Sequence, residues 1–260
     1  TEDEIFRMER LGYRSTRAED SVAIARQLIK QGCALEGVPG FFVNRQGDWE
    51  IAFYKKNSGY LCPVWTEDGF LIAFQIRLDV PYGKRKYVWL SSAKLKKGCS
   101  PGSPVGFSGD RDFQRVYVTE GILKAEIAHQ RTGETYIGNP GVMNYKELEL
   151  LLRRLKKCGL KEVIEANDMD KFMGVDCRED YGKECKECTW DGRECPKKKE
   201  KREHIRGGCL KLYEICEELS ITCNRAVWDI DSKGIWKENY KGIDDWNLRS
   251  DPFEYGQEAA

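Results

Sequence analysis

Val116-Tyr117-Val118-Thr119-Glu120-Gly121 and Val163-Ile164-Glu165-Ala166-Asn167-Asp168-Met169-Asp170 decide how this chain is read. Each is an apolar, β-branched run that ends in a carboxylate. That is the pattern of a buried parallel strand delivering an acid at its C-terminal edge. Ligands of open α/β sheets collect at that edge. Three carboxylates there, Glu120, Asp168 and Asp170, cannot all stay charged and unpaired, so a divalent cation is the expected partner. Mg²⁺ takes few carboxylates and several waters, which leaves positions for phosphate oxygens. The two runs therefore point to Mg²⁺-dependent work on phosphates. The plainer reading is that these acids are solvated caps of strand ends.

Around these runs the rhythm is strand, helix, strand. Gly121 opens a predicted helix carrying Leu123, Ile127 and Ala128, and Tyr136-Ile137-Gly138 is a short strand. Leu148, Leu151, Leu152 and Leu155 stripe a helix that Gly159 ends. After Asp170 a segment rich in cysteine and lysine, at about 176–204, breaks the pattern. It resumes with a helix near 206–219, a strand near 221–228 and Lys241-Gly242-Ile243-Asp244-Asp245.

The N-terminal part reads differently. Asp20 or Ser21 caps a helix striped by Ile24, Ala25, Leu28 and Ile29, and Gly32 ends it. Strands follow: Trp49, Ile51 and Phe53 alternate, then Tyr60 to Trp65, a Glu67-Asp68-Gly69 turn, Phe70 to Leu78, and Tyr87 to Leu90. Phe70, Ile72, Phe74, Ile76 and Leu78 fall on one face, with Gln75 and Arg77 on the other. Residues 98–110, rich in Gly, Ser and Pro, read as a linker. The expected organisation is an α+β subdomain over 1–110 and a largely parallel α/β domain over 111–250, with a cysteine-rich insertion at about 176–204.

Acids and bases balance at 43 each, so any affinity for nucleic acid must come from a local patch. One candidate is the stretch 84–97, where Lys84, Arg85, Lys86, Lys94, Lys96 and Lys97 accompany Tyr87 and Trp89 without an acid. Cations interleaved with aromatic rings suit single strands, and Arg77 is placed to join them; the alternative is an ordinary solvated hairpin. No apolar run approaches the ~18 residues of a membrane span. The opening Thr1-Glu2-Asp3-Glu4 is not a signal peptide, so a cytoplasmic protein is expected.

Four of the 11 cysteines crowd into Cys177-x7-Cys185-x2-Cys188-x6-Cys195. A polar loop of this kind lacks the apolar residues to fold alone, and a tetrahedral Zn²⁺ would supply the missing core. Free thiols and an iron–sulfur cluster are the other readings, and His204 or Cys209 is a possible substitute ligand. No Ser-His-Asp order, Walker loop or dinucleotide-binding glycine motif is present.

The order of these motifs resembles the Toprim domain, shared by bacterial-type primases, topoisomerases and some nucleases. Its marks are a strand ending in Glu120-Gly121, a turn at Gly138-Asn139-Pro140-Gly141, and a strand ending in Asp168-x-Asp170. Upstream, Leu11-Gly12-Tyr13, Cys62-Pro63-Val64, Gln75-Ile76-Arg77 and Lys86-Tyr87 with Ser91-Ser92 resemble the catalytic core of bacterial replicative primases. Gly37-Val38-Pro39-Gly40-Phe41, Trp89-Leu90-Ser91-Ser92 and Lys241-Gly242-Ile243-Asp244-Asp245 resemble Toprim proteins of phages and mobile elements. The likeness covers roughly residues 10–247, apart from the cysteine segment.

It implies a Toprim fold behind a small α+β subdomain, with Glu120 as the site's acid, Asp168 and Asp170 as Mg²⁺ or Mn²⁺ carboxylates, and Asp244 and Asp245 as a further acidic pair. The implied activity is primer synthesis by nucleotidyl transfer, with a single-stranded DNA template, nucleoside triphosphates and a helicase, in cis or in trans, as partners. Lys124 departs from the pattern, because primases usually carry an acid at that place. A lysine there would repel a second cation, pair with Glu120 or grip a phosphate. A Toprim nuclease and a non-catalytic nucleic-acid-binding replication module are the alternatives.

Overall fold

Antiparallel pairing dominates the N-terminal part of the computed structural model, which describes residues 2–83, 85–110 and 113–248. The chain divides into two compact units, Thr1–Pro104 and Val105–Ala260. The first unit contains helices α1 (Glu2–Arg10) and α2 (Ser21–Lys30) and strands β1 (Arg14–Ser15), β2 (Phe41–Val43), β3 (Trp49–Ile51), β4 (Gly59–Trp65), β5 (Leu71–Tyr82) and β6 (Arg85–Trp89). Strands pair in the order β1-β4-β5-β6, all antiparallel, while β2 and β3 form a separate ribbon. Phe42, Ile51, Phe53, Leu61, Ile76, Leu78 and Leu90 make the core. The alternation along β5 holds for Ile76 and Leu78, whereas Phe70 and Ile72 stay exposed and Gln75 is buried. The strand outruns its core at one end, and its second face is covered where Gln75 pairs with the buried Cys62.

The second unit is a layered α/β structure. It contains β7 (Gly106–Ser108), β8 (Arg115–Glu120), α3 (Ile122–Thr132), β9 (Tyr136–Asn139), α4 (Tyr145–Lys157), β10 (Glu162–Glu165), α5 (Pro196–Glu218), β11 (Thr222–Arg225) and α6 (Ile243–Leu248). The sheet order is β11-β10-β8-β9-β7, parallel throughout except for β7. Residues 106–108, expected to be linker, are thus an edge strand. Leu148, Leu151, Leu152 and Leu155 of α4 and Leu212 and Ile215 of α5 pack with Val116, Val118 and Val163. Ala125, Ala128, Tyr136, Met169, Trp228, Trp236 and Ile243 form the other cluster. β8 and β10 are therefore apolar because both of their faces are covered.

Three local expectations change. α3 buries Ile122, Ala125 and Ala128, leaving Leu123 and Ile127 only half-buried. It lies close to β9, where a Cβ on Gly138 would stand 2.7 Å from Ile122 Cα. β10 stops at Glu165, so Asp168 and Asp170 sit beyond the strand, on a loop and the 3₁₀ turn Met169–Phe172. α5 begins at Pro196, nearly three helical turns before the expected start near 206 and inside the expected insertion. Among the described residues, no helix is long and apolar enough to cross a membrane.

Candidate active site

Parallel registry brings the acids to one sheet edge. β8 and β10 run side by side, with Val116 opposite Val163 and Val118 opposite Glu165, so their C-terminal ends finish together. Glu120 is the last residue of β8, and Gly121 follows with φ +105°, a left-handed conformation that spares only glycine from strain. Gly121 N–H donates to Asn139 O at 2.6 Å, which pins this turn to β9. Past β10 the chain places Asp168 and Asp170, each only 1% exposed. Met169 N–H donates to Lys241 O at 2.9 Å and joins that turn to the Lys241–Asp245 segment.

Three lysines neutralise the acids. Lys124, one turn into α3, donates from Nζ to Asp168 Oδ1. Lys241 Nζ lies 2.9 Å from Asp168 Oδ2 and 3.0 Å from Asp170 Oδ2. Lys201 of α5 reaches Asp170 Oδ2 at 3.0 Å. Lys124 also faces Asp244, whose Oδ1 would collide with any Cβ on Gly242. Burial works against the Lys241 ammonium, but the Asp168 and Asp170 charges outweigh it and hold its pKa above the ordinary lysine value. Asp245 accepts a hydrogen bond from Gly242 N–H at 3.0 Å and so ties down its own turn.

Glu120 pairs less well. Burial, then the charge of Asp168, pushes its carboxyl above the ordinary range against the pull of Lys124 and Lys241. Asp244 is also raised, by burial first, against Lys124 and with Asp245 adding to it. A raised carboxyl binds its proton more tightly folded than unfolded. Stability from this group is therefore present at low pH and falls as pH rises from the ordinary carboxylate range through the raised value. Glu120→Gln should accordingly raise the thermal midpoint of the metal-free chain at pH 7. The gain should vanish near pH 4, as a pair of melting curves will show; equal melting at pH 7 would contradict the assignment.

The donor set suits a hard cation. Asp170 Oδ1 and Asp244 Oδ1 are buried without a hydrogen-bond partner, as are Asn139 Oδ1 and Thr119 Oγ1. Among the described residues, no three His, Cys, Asp or Glu side chains already gather at ligand distance. Mg²⁺ does not need that many, because it keeps waters and substrate oxygens among its ligands. Asp168 and Asp170 are the carboxylates that fit it, with Glu120 beside them. The role of Lys241 and Lys201 was not anticipated from sequence. Lys241 lies within the Lys241–Asp245 motif, so a signal for it existed; Lys201 lies in a basic run where nothing local points to a carboxylate partner.

The other candidates fall elsewhere. Arg77, Arg85, Lys86 and Lys94 belong to the first unit, where the Arg77 guanidinium lies 5.0 Å from the centre of the Tyr87 ring across β5 and β6. Arg85, Lys86 and Lys94 are exposed; Lys84 lies outside the described residues. Cys177, Cys185, Cys188 and Cys195 all line one cavity of about 150 Å³ with Tyr181 and Trp190. Cys177 and Cys195 flank the Asp176–Glu194 bridge, and Tyr181 N–H donates to Cys185 Sγ at 3.1 Å.

No protein-family model matches the sequence, and no curated protein matches it. Solved structures do. The zinc-binding and RNA polymerase domains of the Aquifex aeolicus primase align with 94% of this chain at a TM-score of 0.54 and 12% identity. The fold is primase-like. The RNA polymerase domain of Mycobacterium tuberculosis primase DnaG aligns with 61% of the chain at a TM-score of 0.44 and 19% identity. The chain spans about half the length of these structures, 49% and 53% of them respectively. The primase-like fold combines a largely parallel sheet in the second unit with antiparallel sheets in the first.

Proposed function

We propose that this chain is a Toprim-type primase core of a phage or mobile element, which joins nucleoside triphosphates on a single-stranded DNA template. The observation that carries the reading is the set of acids, half-buried Glu120 with buried Asp168 and Asp170, at the C-terminal sheet edge of a primase-like fold. Mg²⁺ or Mn²⁺ bound by Asp168 and Asp170 would neutralise phosphate charge. Lys124 and Lys241 are placed to exchange a carboxylate for a phosphate oxygen as the anion arrives. Arg77, Lys84, Arg85, Lys86 and Lys94 are proposed as contacts to the template, and a replicative helicase as the partner that delivers it. The test is primer synthesis on single-stranded DNA with nucleoside triphosphates and Mn²⁺, with Asp168→Asn as the control. New complementary strand, lost in the control, supports the reading; DNA shortened instead means a Toprim nuclease.

One observation favours a second reading. Asp168 is already held by two ammonium groups, which suits an acid cluster closed by lysines in a binding module without catalysis. Strand binding with neither synthesis nor cleavage, in the presence of metal, would select it.

The cysteine loop is proposed to hold one structural Zn²⁺ on Cys177, Cys185, Cys188 and Cys195. All four thiols line one cavity, and the loop has few apolar residues with which to order itself. About one zinc per chain is expected, with Cys185→Ser and Cys188→Ser both losing it. Chelation should release hydrogen-exchange protection in 176–195 while β8 and β10 keep theirs. A metal-free preparation with that segment fully protected would rule it out.

A further inference from the structure

The turn that carries the aspartates has a second side. Asp170 faces the lysine-bound acid cluster, whereas its neighbours Lys171 and Phe172 line a different cavity of about 230 Å³. Its other walls come from α5 and from the end of β11. Two guanidinium groups border it, Arg206 and Arg225, each a little over 40% exposed at the side chain (43% and 44%). Neither is loose. Arg225 Nε donates to Tyr213 Oη at 2.6 Å, and its guanidinium carbon lies 5.2 Å and 5.7 Å from the Tyr213 and Phe172 ring centres. Arg206 Nε donates to Lys171 O at 2.9 Å, and its Nη1 to Glu203 Oε1 at 3.3 Å.

Both arginines are thus gripped along one edge. Among the described residues, neither Arg225 Nη group and not Arg206 Nη2 donates a hydrogen bond to protein. The charge around the cavity also favours an anion. Lys171, Arg206 and Arg225 face two carboxylates, Glu165 and Glu203, which leaves one positive charge in excess. Lys171 is spent on Glu165, so the excess resides on the guanidinium pair. Leu210 and the Phe172 and Tyr213 rings supply apolar wall. Fixed planar forks with unused donors match phosphate oxygens, and apolar wall beside them suits the sugar or base that a phosphate carries.

We propose that this cavity is a nucleotide-phosphate site, with Arg206 and Arg225 gripping the phosphate of a nucleoside phosphate. It does not depend on the polymerase reading, since the arginines would bind even if the acid cluster were inert. Free nucleotide and the phosphorylated end of a strand present the same chemistry, and the experiment separates them.

The intact chain is titrated with AMP, and with adenosine as the phosphate-free control. Saturable AMP binding is expected, with adenosine much weaker. Arg206→Gln and Arg225→Lys should each weaken AMP about tenfold or more, the scale of losing hydrogen bonds to a charged group. Arg206→Gln should melt with the wild type, which guards against simple unfolding, and Asp168→Asn should leave AMP affinity unchanged. A 5′-phosphorylated oligonucleotide that displaces AMP, where its unphosphorylated counterpart does not, assigns the site to strand ends; displacement by free nucleotides alone assigns it to those. Absent AMP binding, adenosine bound equally well, or binding lost in Asp168→Asn but kept in Arg206→Gln would each overturn the proposal.

Discussion

Asp168→Asn is expected to lower primer synthesis by about 100-fold or more, the scale on which removal of one well-placed electrostatic group acts at a reacting centre. The side chain is 2% exposed and stands where three things meet: Lys124, Lys241 and the proposed cation. Asparagine keeps the shape and removes the charge. Both lysines then lose their counter-charge, but at 27% and 44% exposure they can turn to water, so the fold should survive. The measurement is nucleotide incorporation at saturating Mn²⁺, beside a melting curve. Incorporation within tenfold of the wild type, in a folded variant, would remove Asp168 from the proposed chemistry. Strand affinity provides a second readout: loss of a negative charge beside two lysines should leave it unchanged or slightly tighter.

Lys171→Met is expected to be the most destabilising exchange, at about 3–5 kcal/mol. Glu165 is fully buried and Lys171 3% exposed, and the ammonium donates to both carboxylate oxygens, at 2.8 and 3.0 Å, and to Asn167 O at 3.0 Å. Methionine fills the space but leaves a buried carboxylate without its ammonium, held by the Asn167 N–H, Tyr213 and the more distant Arg225. Glu165→Gln combined with Lys171→Met should recover much of the loss, because an uncharged amide is far cheaper to bury. Urea unfolding at pH 7 measures both, and a single-variant cost below about 1 kcal/mol would mean that the pair is not isolated from water. The same pair closes the loop 165–171 around Asp168, so the variant should also lose synthesis without any change to the acids themselves. That dependence is structural. Asp168 and Asp170 stand outside the strand, and the ion pair between Glu165 and Lys171 keeps their loop in place.

Much of the second unit was readable before any coordinates. β8 and β10 announce themselves because a strand covered on both faces must be apolar at every position, and α4 because its leucines recur with the helical period. The four cysteines of the insertion are close in sequence, so their shared cavity needed no distant partner. β5 was read less well: Phe70 and Ile72 alternate correctly, yet the core ends before it reaches them. The start of α5 is not legible in the sequence because its first turns carry lysines instead of a core stripe. Those turns are held by charge, through Lys198 to Asp180 at 2.6 Å and Lys201 to Asp170 at 3.0 Å.

The sequence alone therefore determined the central strands β8 and β10, the helix α4, the position of Glu120, Asp168 and Asp170 at or just past those strand ends, and the close spacing of the four cysteines. All of these rest on local periodicity or local spacing. Tertiary structure decided what each charge meets: Lys241 and Lys201 on the aspartates, Lys171 on Glu165, and Arg206 and Arg225 around one cavity. Lys124, Lys201 and Lys241 find their aspartates across elements far apart in the chain, and even the nearer Lys171–Glu165 pair is chosen by packing among many equivalent groups, which no local pattern records.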